Sequence, residues 1–123
     1  MRIFIASSDR MLRLGLLLLL ESEPGITVIG VSDRAEGLAT VLGVSKSEVL
    51  LLDYEIAKQM LTVDLIADIH RLEKSPKIIV FSIDSQVEGV AITAGAHAFI
   101  SKTLPPDNLL PILRDLLVSE KSL

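Results

Sequence analysis

Val49-Leu50-Leu51-Leu52-Asp53 sets four apolar residues in a row ahead of one carboxylate. An unbroken apolar run of this length is the pattern of a strand buried on both faces, as in a parallel sheet covered by helices on either side. An aspartate at the carboxyl end of such a strand lies in the crevice beyond the strand ends, where open α/β sheets hold their ligands. The same residue also suits an N-cap or a turn, and these five residues leave both roles open.

Outward from this stretch, four more short apolar runs read as strands: Arg2 to Ala6, Ile26 to Val31, Lys77 to Ser82 and Ala98 to Ser101. The first is followed by the polar turn Ser7-Ser8-Asp9 and a helix over about residues 10–22, broken by Pro24-Gly25. Ser32-Asp33 reads as an N-cap pair for a helix from Arg34 to Leu42, with Gly43 closing it. After the loop from Tyr54 to Met60, a helix to Glu73 carries Leu61, Leu65, Ile69 and Leu72 on one face. Val87, Val90, Ala91 and Ala94 stripe the next helix, which Gly95 ends. The last helix is expected over about Pro106 to Val118. Pro111 within it requires either a start near Asn108 or a kink, because a proline deep in a helix removes a hydrogen bond and clashes with the preceding turn.

Five strands alternating with five helices give a doubly wound parallel sheet with helices on both faces. All strand carboxyl ends then share one edge, which collects Ser7, Ser8, Asp53, Ser82 and Lys102.

Composition narrows the function. The 123 residues, half of them apolar, suit one domain with one well-buried core. The net charge of −4 and scattered Lys and Arg argue against direct nucleic-acid contact, and four aromatic residues, Phe4, Tyr54, Phe81 and Phe99, make no stacking platform. The absence of cysteine excludes a disulfide framework and a thiolate metal site, and suits a cytoplasmic chain. Leu14 to Leu20 is far short of the ~20 apolar residues of a membrane span. It also lacks the flanks of a signal peptide, so it reads as a soluble helix. His70 and His97 stand far apart in sequence without acidic partners, and read as surface or helix-end residues rather than metal ligands. Ser7-Ser8-Asp9 has no histidine or Gly-x-Ser-x-Gly elbow beside it, and Val44-Ser45-Lys46-Ser47 has no glycines to cradle a phosphate.

Together these residues make the chain resemble the receiver domain of two-component response regulators, over residues 1–118, with 119–123 as a frayed terminus or the start of a linker. The resemblance implies a flavodoxin-like (βα)5 fold with strand order 2-1-3-4-5, and a phosphoryl group passed from a histidine kinase to an aspartate after the third strand. Asp53 matches that phosphoacceptor, Ser82 the hydroxyl residue that bonds the phosphoryl group, Lys102 the lysine that contacts it, and Phe99 the rotameric aromatic three positions before the lysine. Ala94-Gly95-Ala96 followed by Phe99 and Lys102 is the most specific match. Ile26 to Val31 is similar to the second strand of regulators that carry a helix-turn-helix effector.

Departures from the family pattern shape the expected function. Receivers hold Mg²⁺ with two acids directly after the first strand, and here those positions are Ser7 and Ser8. Asp9 falls one place too far along and is expected at the start of the helix. A unit charge ~4 Å from another is worth on the order of 4 kcal/mol at an effective dielectric of 20, and twice that for a divalent ion. Two lost carboxylates therefore weaken such a site by several decades. Ile83 is branched where the family residue is small, and is expected to crowd the path of the phosphoryl group. Glu55 is the one acid placed to replace lost charge, though a solvated loop glutamate is its ordinary reading.

Three functions follow: an atypical receiver that works through protein-protein interaction with weak or no Mg²⁺ binding and no cofactor; a conventional receiver phosphorylated on Asp53; and a small hydrolase on the same scaffold. The first is favoured, which makes the chain a signalling module rather than an enzyme. Its expected partners are a histidine kinase or another signalling protein, with no membrane contact. Lys102 is expected to pair directly with Asp53. At 100° per residue Leu12, Gly15, Leu16, Leu19 and Leu20 face the sheet and Leu14, Leu17 and Leu18 face away, so the first helix offers a homodimer surface.

Overall fold

The computed structural model describes residues 1–57, 60–102 and 108–121. Strands β1 (Arg2–Ala6), β2 (Thr27–Ser32), β3 (Val49–Asp53), β4 (Lys77–Ser82) and β5 (Ala98–Ser101) alternate with helices α1 (Arg10–Glu21), α2 (Leu38–Ser45), α3 (Thr62–His70), α4 (Glu88–Ala94) and α5 (Leu109–Lys121). All neighbouring strands are parallel, in the order β2-β1-β3-β4-β5.

The strands sort their side chains by the two-residue period. Ile3, Ile5, Val49, Leu51, Ile79 and Phe81 point to one face, under Leu12, Leu16 and Leu20 of α1 and Leu109 and Leu113 of α5. Phe4, Ala6, Leu50, Leu52, Ile78 and Val80 point to the other, under α2, α3 and α4. All five residues of β3 are buried, so it is the centre of both layers. At Gly30 the Phe4 ring lies where a Cβ would stand, 2.4 Å from that position, beside the register shift between Ile3 and Phe4 in the β1–β2 ladder.

The helices depart from expectation at their ends. α2 begins at Leu38 after Gly37 rather than at Arg34, because the Ser32 hydroxyl and the Asp33 carboxylate are engaged with Arg34 and cap no helix. It runs through Gly43 and ends at Lys46, which takes the left-handed conformation (φ 59°). In α3 the buried residues are Thr62, Leu65, Ile66 and Ile69, whereas Leu61 is an exposed N-cap. α4 follows a 3-10 turn at Ser85–Val87 and buries Ala91 alone; Val90 is exposed. Gly95 ends α4 as expected, at φ 132°, and a Cβ there would lie 2.7 Å from the His70 ring.

Pro111 is the third residue of α5, where its missing N–H belongs to the first-turn donors that have no intrahelical acceptor. The start near Asn108 is therefore realised and no kink is needed. α5 continues to Lys121, past the expected end at Val118. The earlier start at Pro106, Lys58 and Gln59 of the loop after Asp53, and residues 122–123 lie outside the described residues. No helix among the described residues is long and apolar enough to cross a membrane.

Candidate functional site

The parallel order brings the ends of β1, β3, β4 and β5 to one edge, and Asp53 is at its centre with 1% exposure. Ser7, buried just beyond β1, is held there by its own backbone N–H donating to Ser32 O (2.9 Å). Its hydroxyl donates to Asp53 Oδ2 at 2.6 Å and accepts from the Asp9 backbone N–H at 3.0 Å. Lys102 leaves β5 with its backbone N–H on Ser82 O (2.8 Å). Its Nζ donates to Asp53 Oδ2, also at 2.8 Å. The other oxygen, Oδ1, accepts from the Glu55 backbone N–H at 3.0 Å, which closes a 3-10 turn at Tyr54–Ile56. Asp53 thus takes both roles that its sequence position allows, crevice carboxylate and cap.

Burial disfavours the Lys102 charge, but the bond to Asp53 and the fields of Asp53, Glu55 and Asp9 outweigh it and hold the ammonium pKa above its ordinary value. Asp9 caps α1, its Oδ1 accepting from Met11 and Leu12 N–H, and its Oδ2 lies 3.6 Å from Lys102 Nζ. The Leu12 N–H is the main reason its carboxyl sits below the usual range; burial opposes, and Lys102 adds to the lowering. Asp9 is therefore both the expected helix start and a second carboxylate beside the ion pair, a role its sequence position did not reveal.

Ser82 is fully buried at the end of β4, and its hydroxyl donates to Glu55 Oε2 at 2.9 Å rather than to Asp53. Glu55 Oε1 accepts from the Ile83 backbone N–H at 3.0 Å. The ordinary reading of Glu55 as a solvated loop residue is thus overturned: an acid two residues beyond a strand-end aspartate reaches the neighbouring strand end once a tight turn aims it there. The Ile83 side chain points outward, 74% exposed. Ser8 is exposed and lines a shallow cleft with Asp33, Arg34, Glu36 and Ile56. Phe99, on β5, is partly buried against the layer of α2, α3 and α4.

One correction falls outside the crevice. Leu17, expected on the free face of α1, packs against the core beneath that helix, and Met11 joins Leu14 and Leu18 in the exposed stripe instead. His70, the last residue of α3, and His97 are both exposed, in keeping with the expected surface and helix-end positions, and their ring centroids lie 6.3 Å apart.

Residues 3–114 match the response regulator receiver domain family. The chain belongs to this family. It is 34% identical over 105 residues to the transcriptional regulatory protein LiaR of Bacillus subtilis, a match that covers 83% of this chain and 49% of that protein. The chain thus spans about half the length of the curated relative it matches. Among solved structures it is similar to a LuxR-family response regulator from Aurantimonas (TM-score 0.84, 19% identity, 96% of this chain and 85% of that one). It is also similar to the isolated receiver domain of RcsB from Salmonella enterica with the phosphomimetic BeF3- (TM-score 0.85, 21% identity, 95% and 88%). A third is the response regulator domain of Thermotoga maritima CheB (TM-score 0.80, 17% identity, 100% and 97%). These structures show the flavodoxin-like receiver fold, and membership of the family places the chain in two-component signalling.

Proposed function

We propose that this receiver is an atypical one, with a degenerate Mg²⁺ site, that works through protein-protein interaction. The observation that carries the reading is Ser7: a buried neutral hydroxyl bonds the acceptor-position carboxylate at 2.6 Å, on the side where the family pattern calls for an acid. The donor set fits Mg²⁺ poorly, since that ion wants carboxylate oxygens in a near-octahedral arrangement. Among the described residues no three His, Cys, Asp or Glu side chains form a metal-binding group. Asp53 Oδ2 already accepts from a hydroxyl and an ammonium, and Asp9 Oδ1 is committed to the cap of α1.

In this reading Asp53 and Lys102 form a fixed ion pair that ties β3 to the end of β5, and the chain is a signalling module rather than an enzyme. Its partner is a histidine kinase or another cytoplasmic signalling protein, and any DNA contact of a full-length regulator is made outside this chain. Met11, Leu14 and Leu18, exposed at 63%, 48% and 63%, supply an apolar stripe on α1 for a homodimer.

A conventional receiver phosphorylated on Asp53 is the second reading, favoured by the convergence of Asp53, Ser82 and Lys102 on one edge. Intact-mass measurement after incubation with an acyl phosphate and Mg²⁺ separates the two. No phosphoryl adduct is expected at ordinary Mg²⁺ concentrations. An adduct that disappears in Asp53→Asn overturns the atypical reading.

A further inference from the structure

The Ser82 hydroxyl and the Ile83 amide are neighbouring donors at the end of β4, and one carboxylate takes both. Glu55 Oε2 accepts from Ser82 Oγ at 2.9 Å and Oε1 from Ile83 N–H at 3.0 Å, a two-pronged arrangement that binds each oxygen to a separate donor. The prongs are aimed by the turn beneath them, because the Glu55 backbone N–H is itself tied to Asp53 Oδ1 at 3.0 Å. Ser82 in turn accepts from the Asp84 N–H at 3.0 Å, and Asp84 caps the turn that leads into α4. A chain of hydrogen bonds therefore runs from Asp53 through Glu55 and Ser82 to the entry of α4.

We propose that Glu55 is a built-in anionic ligand of the Ser82 hydroxyl and the Ile83 amide, occupying the hydroxyl that the family pattern gives to the phosphoryl group and holding the β4–α4 junction in one conformation without modification of Asp53. The physical grounds are the charge and reach of the ligand. A carboxylate presents two acceptor oxygens about as far apart as two oxygens of a phosphoryl group, and hydrogen bonds to an ionised acceptor are stronger than neutral ones. An incoming phosphoryl group must displace Glu55 and stand beside its negative charge, in a crevice that also holds Asp53 and Asp9 against Lys102. The proposal deepens the atypical-receiver reading and rests on it for its consequence, that the junction does not need a phosphoryl group to be set.

The test is amide hydrogen exchange, resolved by NMR, on the wild-type domain, Glu55→Ala, Glu55→Gln and Asp53→Asn. Ile83 N–H is expected to exchange about tenfold or more slowly in the wild type than in Glu55→Ala, the protection of one hydrogen bond to a charged acceptor. Glu55→Gln should fall between them, since its amide oxygen can accept one of the two bonds. Asp53→Asn should keep most of the protection, because the asparagine oxygen can still accept from the Glu55 N–H. Equal exchange of Ile83 in wild type and Glu55→Ala overturns the proposal, as does equal loss in Asp53→Asn. Treatment of the same proteins with an acyl phosphate and Mg²⁺ separates this result from the atypical-receiver reading. An adduct on the wild type counts against that reading whatever Ile83 does, whereas an adduct on Glu55→Ala alone supports Glu55 as the occupant.

Discussion

Replacing Lys102 with Met keeps the side-chain stem and deletes the charge that faces Asp53. The carboxylate side chain is fully buried and the ammonium-bearing side chain 11% exposed, so solvent can replace little of the lost interaction. At 2.8 Å and an effective dielectric of about 20 the attraction is roughly 6 kcal/mol before desolvation is subtracted. Removing one partner of a buried pair typically costs about 3–5 kcal/mol. The Ser7 hydroxyl and the Glu55 N–H remain on Asp53, which puts Lys102→Met at the low end, about 3 kcal/mol. With a urea slope of about 1.5 kcal/mol/M, the unfolding midpoint should fall by about 2 M. Asp53→Asn should cost less, on the order of 1 kcal/mol, because Lys102 still faces Asp9 at 3.6 Å, the Asn oxygen can accept from the Glu55 N–H and its amide N–H can donate to the Ser7 hydroxyl. The double variant should then be less destabilised than the sum of the singles by about 2 kcal/mol. Urea unfolding of the four proteins measures this cycle. A Lys102→Met cost below about 1 kcal/mol, or strictly additive singles, would refute the buried-pair argument.

Ser7→Asp should destabilise the domain without metal, since a second carboxylate would replace the hydroxyl donor 2.6 Å from Asp53; Ser7→Asp with Ser8→Asp should raise the melting temperature on adding Mg²⁺, and the absence of any Mg²⁺ effect counts against the proposed cause of weak binding. The wild-type domain should be dimeric by sedimentation at tens of micromolar, and Leu14→Glu with Leu18→Glu should make it monomeric; an unchanged mass excludes α1 as the interface. His97 Nδ1 accepts the Ile78 N–H at 3.3 Å, and burial, then Lys77 and His70, holds its pKa below the ordinary 6.5. Its contribution is therefore present above pH 6.5 and lost as the pH falls through the lower folded value, and it is small because the residue is largely exposed. His97→Gln should flatten the change in unfolding midpoint between pH 7 and pH 5, and parallel curves for the two proteins would show that His97 contributes none of it.

The sequence by itself determined the sheet and the edge at which its strands end. Buried parallel strands are written as unbroken apolar runs, so β1, β3, β4 and β5 fall where those runs fall, and alternation with helices leaves few topologies. Asp53, Ser82 and Lys102 were legible as strand-end residues for the same reason. Pairing of Lys102 with Asp53 followed from charge alone, as little else at that edge can neutralise a carboxylate. Helix ends were less legible: Ser32 and Asp33 carry the chemistry of a cap, and only their engagement by Arg34 sends the helix start to Leu38. The tertiary structure also decided which face of a long leucine run is free, because Leu17 lies over the α1–β2 seam and Met11 does not. Above all it decided the partners of Asp9 and Glu55. Both are loop acids whose local surroundings predict solvent or a cap, and each meets the site through residues dozens of positions away, Lys102 for Asp9 and Ser82 with Ile83 for Glu55. Such contacts leave no periodic trace in the chain, since they are fixed by where neighbouring strands end and not by the residues on either side.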